Sequence, residues 1–215
     1  MVKSQNGIAK SNKKAVSRTL RLVRIAIFVA LIIVGAFVKF PIGIVPVSMQ
    51  FAFCMFASLM LGGLDSFICV AIYIVMGLIG IPVFSAGGGF AYVLQPTFGY
   101  ILGFFIAAPV GGFIARGFKN DAKLNIFRLL AGAFCSLAIV YTVGVMYMYL
   151  MLNFYVGTAM SMSKAWMAGC AVFLPTDCSW CVLGALVTYG VLRRYNPQIT
   201  VSKKMHSEPY VREID

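Results

Sequence analysis

The sequence predicts an all-α polytopic membrane protein with six transmembrane helices and both termini cytoplasmic. Three observations lead there. Hydrophobic residues make up 61% of the chain and charged residues 11%, whereas a soluble domain carries about 25% charged residues. Too few charges are present to cover a water-facing surface, and mean hydropathy is +0.91. Uncharged runs of 25 residues (40–64) and 50 residues (66–115) are each long enough for more than one span. The cations are also gathered into three clusters, and their positions dictate the span count.

The first cluster (Lys3, Lys10, Lys13, Lys14, Arg18, Arg21, Arg24) fills a basic N-terminal segment, 1–21, and runs just past it. The first helix is expected over 22–38. Basic and then apolar from Ile25, this stretch imitates a signal peptide. Leu22 to Val38 is nevertheless long enough to span, and no small-residue cleavage site precedes Lys39, so retention as a helix is expected. An uncharged connection, FPIGIVPVSMQ, leads to a second helix over 48–62 with Gln50 at its outer end. Gly62-Gly63 separates it from a third helix, 66–80. After the long connection from Ile81 to Thr97 come helices over 98–116, 125–151 and 165–193, punctuated at Asn120 and Asn153. The membrane domain is therefore 22–194, followed by a tail, 195–215.

Six spans place the second cluster (Arg116, Lys119, Lys123, Arg128) and the third (Arg193, Arg194, Lys203, Lys204, Arg212) on the same side as the first. Sixteen of the eighteen cations then share one face, and only Lys39 and Lys164 lie opposite. The positive-inside rule makes the crowded face cytoplasmic. Five or seven spans would split the clusters. The net charge of +12 is thus a topology signal, and nucleic acid is not an expected partner.

The same shortage of polar groups excludes most chemistry. The one histidine, His206, is in the tail, so no intramembrane base can serve a nucleophile. Six cysteines all sit in apolar segments, where cysteine behaves as a small hydrophobe. Cys178-Ser-Trp-Cys181 has a redox or metal spacing but lacks the further ligands a zinc site needs. No phosphate-cradling G-x-x-x-x-G-K-[ST] loop is present, so ATP hydrolysis would have to come from partners. Thr97-Phe98-Gly99-Tyr100 echoes a potassium-channel filter, but Ile101 replaces its final glycine. No enzyme, metal or cofactor is expected.

What remains points to a pocket. Asp177 is the one fully ionisable group inside an expected span, and charge in a bilayer is costly and usually functional. Counting back from Arg193 puts it ~24 Å along the helix, in the outer part. Pro175 beside it removes a backbone donor, so a kink or a new helix start is expected. Asp177 either lines a cavity or caps that start, or does both. On the same outer side, the connection IPVFSAGGGFAYVLQPT has no charge and contains Gly87, Gly88 and Gly89, whose conformational freedom suits a segment folded back as a lid. Ala26 and Ala30, one turn apart near the cytoplasmic end of the first helix, would admit a closely packed partner helix.

With those pieces in view, the sequence resembles the BioY family, the substrate-binding S components of energy-coupling factor (ECF) transporters for biotin. The resemblance runs from about Thr19 to Arg194. Its strongest block is GLIGIPVFSAGGGFAYVLQPTFGYILG, supported by PIGIVPVSMQ, by FLPTD ending in Asp177, and by the Ala26–Ala30 pair, similar to the motif that docks on the coupling subunit. The resemblance implies an S-component-like bundle in the cell membrane, a substrate pocket near the outer surface, and partners comprising one coupling membrane subunit and two ATPases. It also implies that the S component topples in the bilayer to release its substrate inward.

The departures bear on the ligand. Trp180 stands where the family usually has a lysine, three residues after the aspartate, and Gln95-Pro96-Thr97-Phe98-Gly99-Tyr100 replaces a more glycine-rich pattern. A cyclic urea, as in biotin, offers two N–H donors to one carboxylate, so Asp177 is expected to accept them. Trp180 would be a flat apolar wall one turn away. Gln50, Tyr92 and Thr97 would add polar contacts, with Gly87 to Gly89 as lid. Biotin and another small, flat, vitamin-like molecule are both open as substrate, and a structural membrane protein with no ligand, its Asp177 only a cap, is the remaining alternative.

Overall fold

The computed structural model describes residues 2–40, 47–117 and 124–195. Seven α-helices and one small antiparallel ribbon make up the architecture of these residues. Helix α1 runs without a break from Val2 to Phe37, starting well ahead of the first helix expected over 22–38. Its Arg18–Phe37 portion is apolar enough to cross a membrane. A ribbon of β1 (Lys39–Phe40) and β2 (Val47–Ser48), in register Lys39↔Ser48, leads into α2 (Gln50–Leu61). Next come α3 (Gly63–Leu78), α4 (Phe98–Arg116) and α5 (Ile126–Leu150).

Among the described residues, three helices have the length and apolarity to cross a membrane: the distal part of α1, α4, and α5 extended by a π-helical turn to Tyr155. A bent pair further along the described residues passes the same test only when its two pieces are taken together, as a broken span or a re-entrant loop. There α6 (Met162–Trp166) runs on through a π turn to Ala171 and meets α7 (Leu174–Tyr195) at 42°. The expected segment 165–193 is thus interrupted just ahead of Pro175, the kink or new start expected there, because a proline ring cannot continue the preceding turn. Helices α2 and α3 are apolar but shorter, 12 and 16 residues.

Gly62 causes the shortness. It ends α2 and opens α3 at φ +84°, a left-handed conformation that side chains disfavour. A second glycine allows α4 to press on that junction: a Cβ at Gly112 would lie 2.6 Å from the Gly63 amide nitrogen. Serines reinforce this contact, because Ser58 and Ser66 both donate to the Ala108 carbonyl (2.7 and 3.0 Å). Ser136 of α5 donates to Ala107 O at 3.2 Å, so α2, α3 and α5 all hold the backbone of α4. In a lipid setting such small-residue contacts and buried hydroxyls replace the hydrophobic effect as glue.

The outside of the bundle is apolar as well. Leu22, Val34, Ile72, Val75, Leu186 and Val187 are all exposed, a surface that suits acyl chains and not water. Residues 41–46 of the connection between β1 and β2, Lys119, Asp121 and Lys123, and the tail beyond Tyr195 with His206 lie outside the described residues.

Candidate functional site

An open cavity of about 620 Å³, mouth included, lies where β2, α2, α4, α5 and α7 begin or converge. Each element reaches it for a local reason. Ending the ribbon at Ser48 starts α2 with Gln50 and Phe51 facing inward, and both are buried. The break before Pro175 turns the first turn of α7 toward α5, which carries Asp177 into the wall at 8% exposure.

Asp177 is oriented from across the helix pair. The Tyr141 hydroxyl donates to Asp177 Oδ2 at 2.5 Å, and the Asp177 amide completes a turn on Phe173 O at 3.0 Å. The carboxylate thus engages α5 and faces the cavity. Gln50 donates through Nε2 to the Tyr73 hydroxyl at 3.0 Å, and Tyr73 in turn donates to Val83 O at 3.2 Å. In this orientation the amide carbonyl of Gln50 is its group for a ligand.

The segment from Ile81 to Thr97 folds back against the bundle. Val83, Phe84 and Tyr92 are buried, and a 3-10 turn covers Phe90–Leu94. Phe84 packs edge-on to Tyr73 (5.4 Å) and tilted against Tyr92 (4.7 Å). Ser85, Tyr92 and Thr97 from this segment line the cavity. Tyr92 and Ser85 share a hydrogen bond of 3.0 Å, and the Lys39 ammonium donates to the Ser85 carbonyl, tying the segment to the ribbon. Lys164 is exposed and does not line the cavity.

The glycine triplet acts one step removed from the cavity. Gly87 and Gly89 have φ of +119° and +101°. The Gly89 amide donates to Gly77 O at 2.7 Å, and a Cβ at Gly88 would collide with the Ile81 carbonyl. These residues set the turn that drives Phe84 inward; none of the three lines the cavity.

Trp180 is also elsewhere, contrary to the expected apolar wall. Asp177, Cys181, Ala185 and Thr188 form the buried stripe of α7. A residue three positions after Asp177 sits about 60° around the helix from it, while Cys181 continues the stripe. Trp180 consequently shares a shallow outer groove with Pro175, Thr176, Ser179 and Leu183. The aromatic walls are instead Phe51, Tyr100, Phe104 and Phe173, with Tyr92.

Sequence reasoning missed Tyr100 and Tyr141 in particular. The usable signal was a phenol within an apolar helix, since a buried Tyr hydroxyl needs a partner. Tyr100 meets that need on Gly169 O at 2.7 Å. Ala26 and Ala30 are both exposed on α1 and lie outside the cavity.

Comparison with known proteins agrees with this architecture. A sequence model described as the BioY family matches residues 9–197. The chain is 39% identical over 178 residues to a probable biotin transporter BioY of Lysinibacillus sphaericus, covering 81% of this chain and 89% of that protein. It is 36% identical over 168 residues to the biotin transporter BioY of Thermotoga maritima, covering 78% and 92%. The crystal structure of an S-component for biotin from an ECF-type ABC transporter superposes with a TM-score of 0.71 at 26% identity, covering 82% of this chain and 93% of that one. With the family model matching most of its length and relatives above 30% identity covered over most of theirs, this chain belongs to the BioY family.

Proposed function

We propose that the protein is the membrane-embedded substrate-binding component of an ECF uptake system and that biotin is its substrate. It is a transporter component and not an enzyme. The observation that supports biotin most directly is Asp177, oriented by Tyr141 at the wall of an aromatic cavity. A cyclic urea would give its N–H donors to Asp177 and to the Gln50 carbonyl, while its fused rings stack among Tyr92, Tyr100 and Phe104. Ser85, Tyr92 and Thr97 hold the mouth, and the glycine turn keeps them in place.

Six crossings with cytoplasmic termini in the cell membrane fit this role. The cavity opens at the start of α2, α4 and α7, the ends opposite the arginines. The exposed Ala26–Ala30 face of α1 would dock a coupling membrane subunit, with two ATPase subunits supplying energy that this chain has no motif to supply.

A second ligand reading has one specific observation behind it. Among the described residues, none that lines the cavity is a cation, so a ligand carboxylate finds no buried arginine or lysine there. A flat, uncharged vitamin-like ring would fit equally well. Calorimetric titration of the purified protein with biotin, beside mass spectrometry of whatever co-purifies, separates the readings. Biotin binding that Asp177→Ala abolishes is expected; a different co-purified ring, with no biotin binding, would overturn the choice of substrate.

A further inference from the structure

A second open cavity, of about 780 Å³, lies at the opposite ends of α2 and α4 and is lined by Arg18, Arg21, Arg24, Met60, Leu61, Asp65 and Arg116. Its composition follows from the fold. The tight turn at Gly62 brings the end of α2 and the start of α3 together, and α4 presses its last turn onto that junction. Arg116 there donates through Nη1 to the Met60 carbonyl at 3.0 Å. Helix α1 contributes the other three arginines, spaced three residues apart so that they fan around one side of it.

Four guanidinium groups thus surround one carboxylate, and no second carboxylate lines the cavity among the described residues. Asp65 is already engaged by Arg21, whose Nε reaches Oδ1 at 2.7 Å and whose Nη2 bridges the same oxygen. Arg24 and Arg116 are near enough for their charges to repel. Arginine presents a planar set of donors that matches phosphate oxygens. Apolar side chains flank the cluster on both helices: Leu20, Leu22, Val23 and Ile27 on α1, and Leu64, Phe67 and Ile68 on α3 are all exposed. A headgroup seated among the arginines would therefore have acyl-chain surface directly beside it.

We propose that this cavity binds a phosphate-bearing anion, with Arg18, Arg24 and Arg116 as its ligands and Arg21 held in place by Asp65. Basic pockets between helices at the cytoplasmic interface suit anionic lipid headgroups. Such a ligand would tie the middle of α1 to the ends of α2, α3 and α4, away from the substrate cavity. It would act independently of which vitamin is carried.

Native mass spectrometry of the full chain in detergent provides the test. Phosphatidylglycerol and phosphatidylcholine are added in parallel, and inorganic phosphate is added as a competitor. Retention of phosphatidylglycerol over phosphatidylcholine is expected, weakened roughly tenfold or more by the double substitution Arg18→Gln/Arg24→Gln. The pair Arg193→Gln/Arg194→Gln, at another helix end, should leave it unchanged. Displacement by millimolar phosphate would assign a soluble anion, and indifference to phosphate would assign the lipid; either supports the site. Equal phosphatidylglycerol retention by wild type and the Arg18/Arg24 variant would overturn it, as would equal loss in the Arg193/Arg194 control. Thermal unfolding of each variant confirms that the fold persists.

Discussion

The Tyr141 hydroxyl lies 2.5 Å from Asp177 Oδ2 and donates to it, joining the middle of α5 to the first turn of α7. A buried carboxylate needs hydrogen bonds to remain in place, and a bond to a charged acceptor contributes ~1.5–3 kcal/mol. Removing the hydroxyl alone should therefore loosen the ligand's acceptor without deleting it. We expect Tyr141→Phe to weaken biotin binding roughly tenfold, and Asp177→Ala to weaken it far more. Titration calorimetry of both variants checks the order. Equal affinity of Tyr141→Phe and wild type would show that orientation by Tyr141 does not matter.

Trp180 should be a bystander to the ligand. It lies in a groove with Pro175, Thr176, Ser179 and Leu183, off the buried stripe that holds Asp177. Trp180→Ala is expected to leave affinity within about threefold, whereas Phe104→Ala, which strips a wall of the cavity, should reduce it by tenfold or more, the scale of ~1.4 kcal/mol. Trp180→Lys should bring no gain of similar size. A tenfold gain would place this position within reach of the ligand.

The strap between Lys39 and the Ser85 carbonyl holds the segment from Ile81 to Thr97 to the ribbon. Substituting Lys39→Met keeps the chain's bulk and removes the donor. Ligand dissociation should then speed up several-fold, with association less affected, because most changes at a binding surface appear in the off-rate. Stopped-flow tryptophan or tyrosine fluorescence distinguishes the two rates.

Stability should depend on the α2–α3 junction more than on any surface charge. A side chain held in a backbone conformation that is essentially glycine's alone costs ~1–3 kcal/mol, and Gly62 sits at φ +84° with ψ 177°. Gly62→Ala is expected to lower the unfolding midpoint in detergent by several degrees. Gly112→Val should lower it further, since its Cβ would meet the Gly63 backbone at 2.6 Å. By contrast, Arg21→Gln removes an exposed ion pair and should shift the midpoint little.

The sequence alone determined that the chain is a helical membrane protein and where most helices run. Apolar runs and paired glycines report directly on length and breaks, and both are local or one-dimensional signals. They located α4 over 98–116 to the residue and marked Asp177, because an acid in an apolar helix is conspicuous without any knowledge of its neighbours. The same signals carried the family resemblance.

Only the tertiary structure decided what surrounds Asp177. Helix rotation decides it: about 60° separates Trp180 from the face that Cys181 shares, and the bend before Pro175 chooses which face meets α5. Tyr141 and Tyr100 come from helices distant in sequence, so their meeting with Asp177 and Gly169 has no local trace. For the glycine triplet, unusual φ angles were legible from composition, but their use as a support behind Phe84 rests on contacts with Gly77 and Ile81. The arginines tell the same story in charge: sequence showed them as separate clusters along the chain, and packing at Gly62 and Gly112 gathered four of them around a single aspartate.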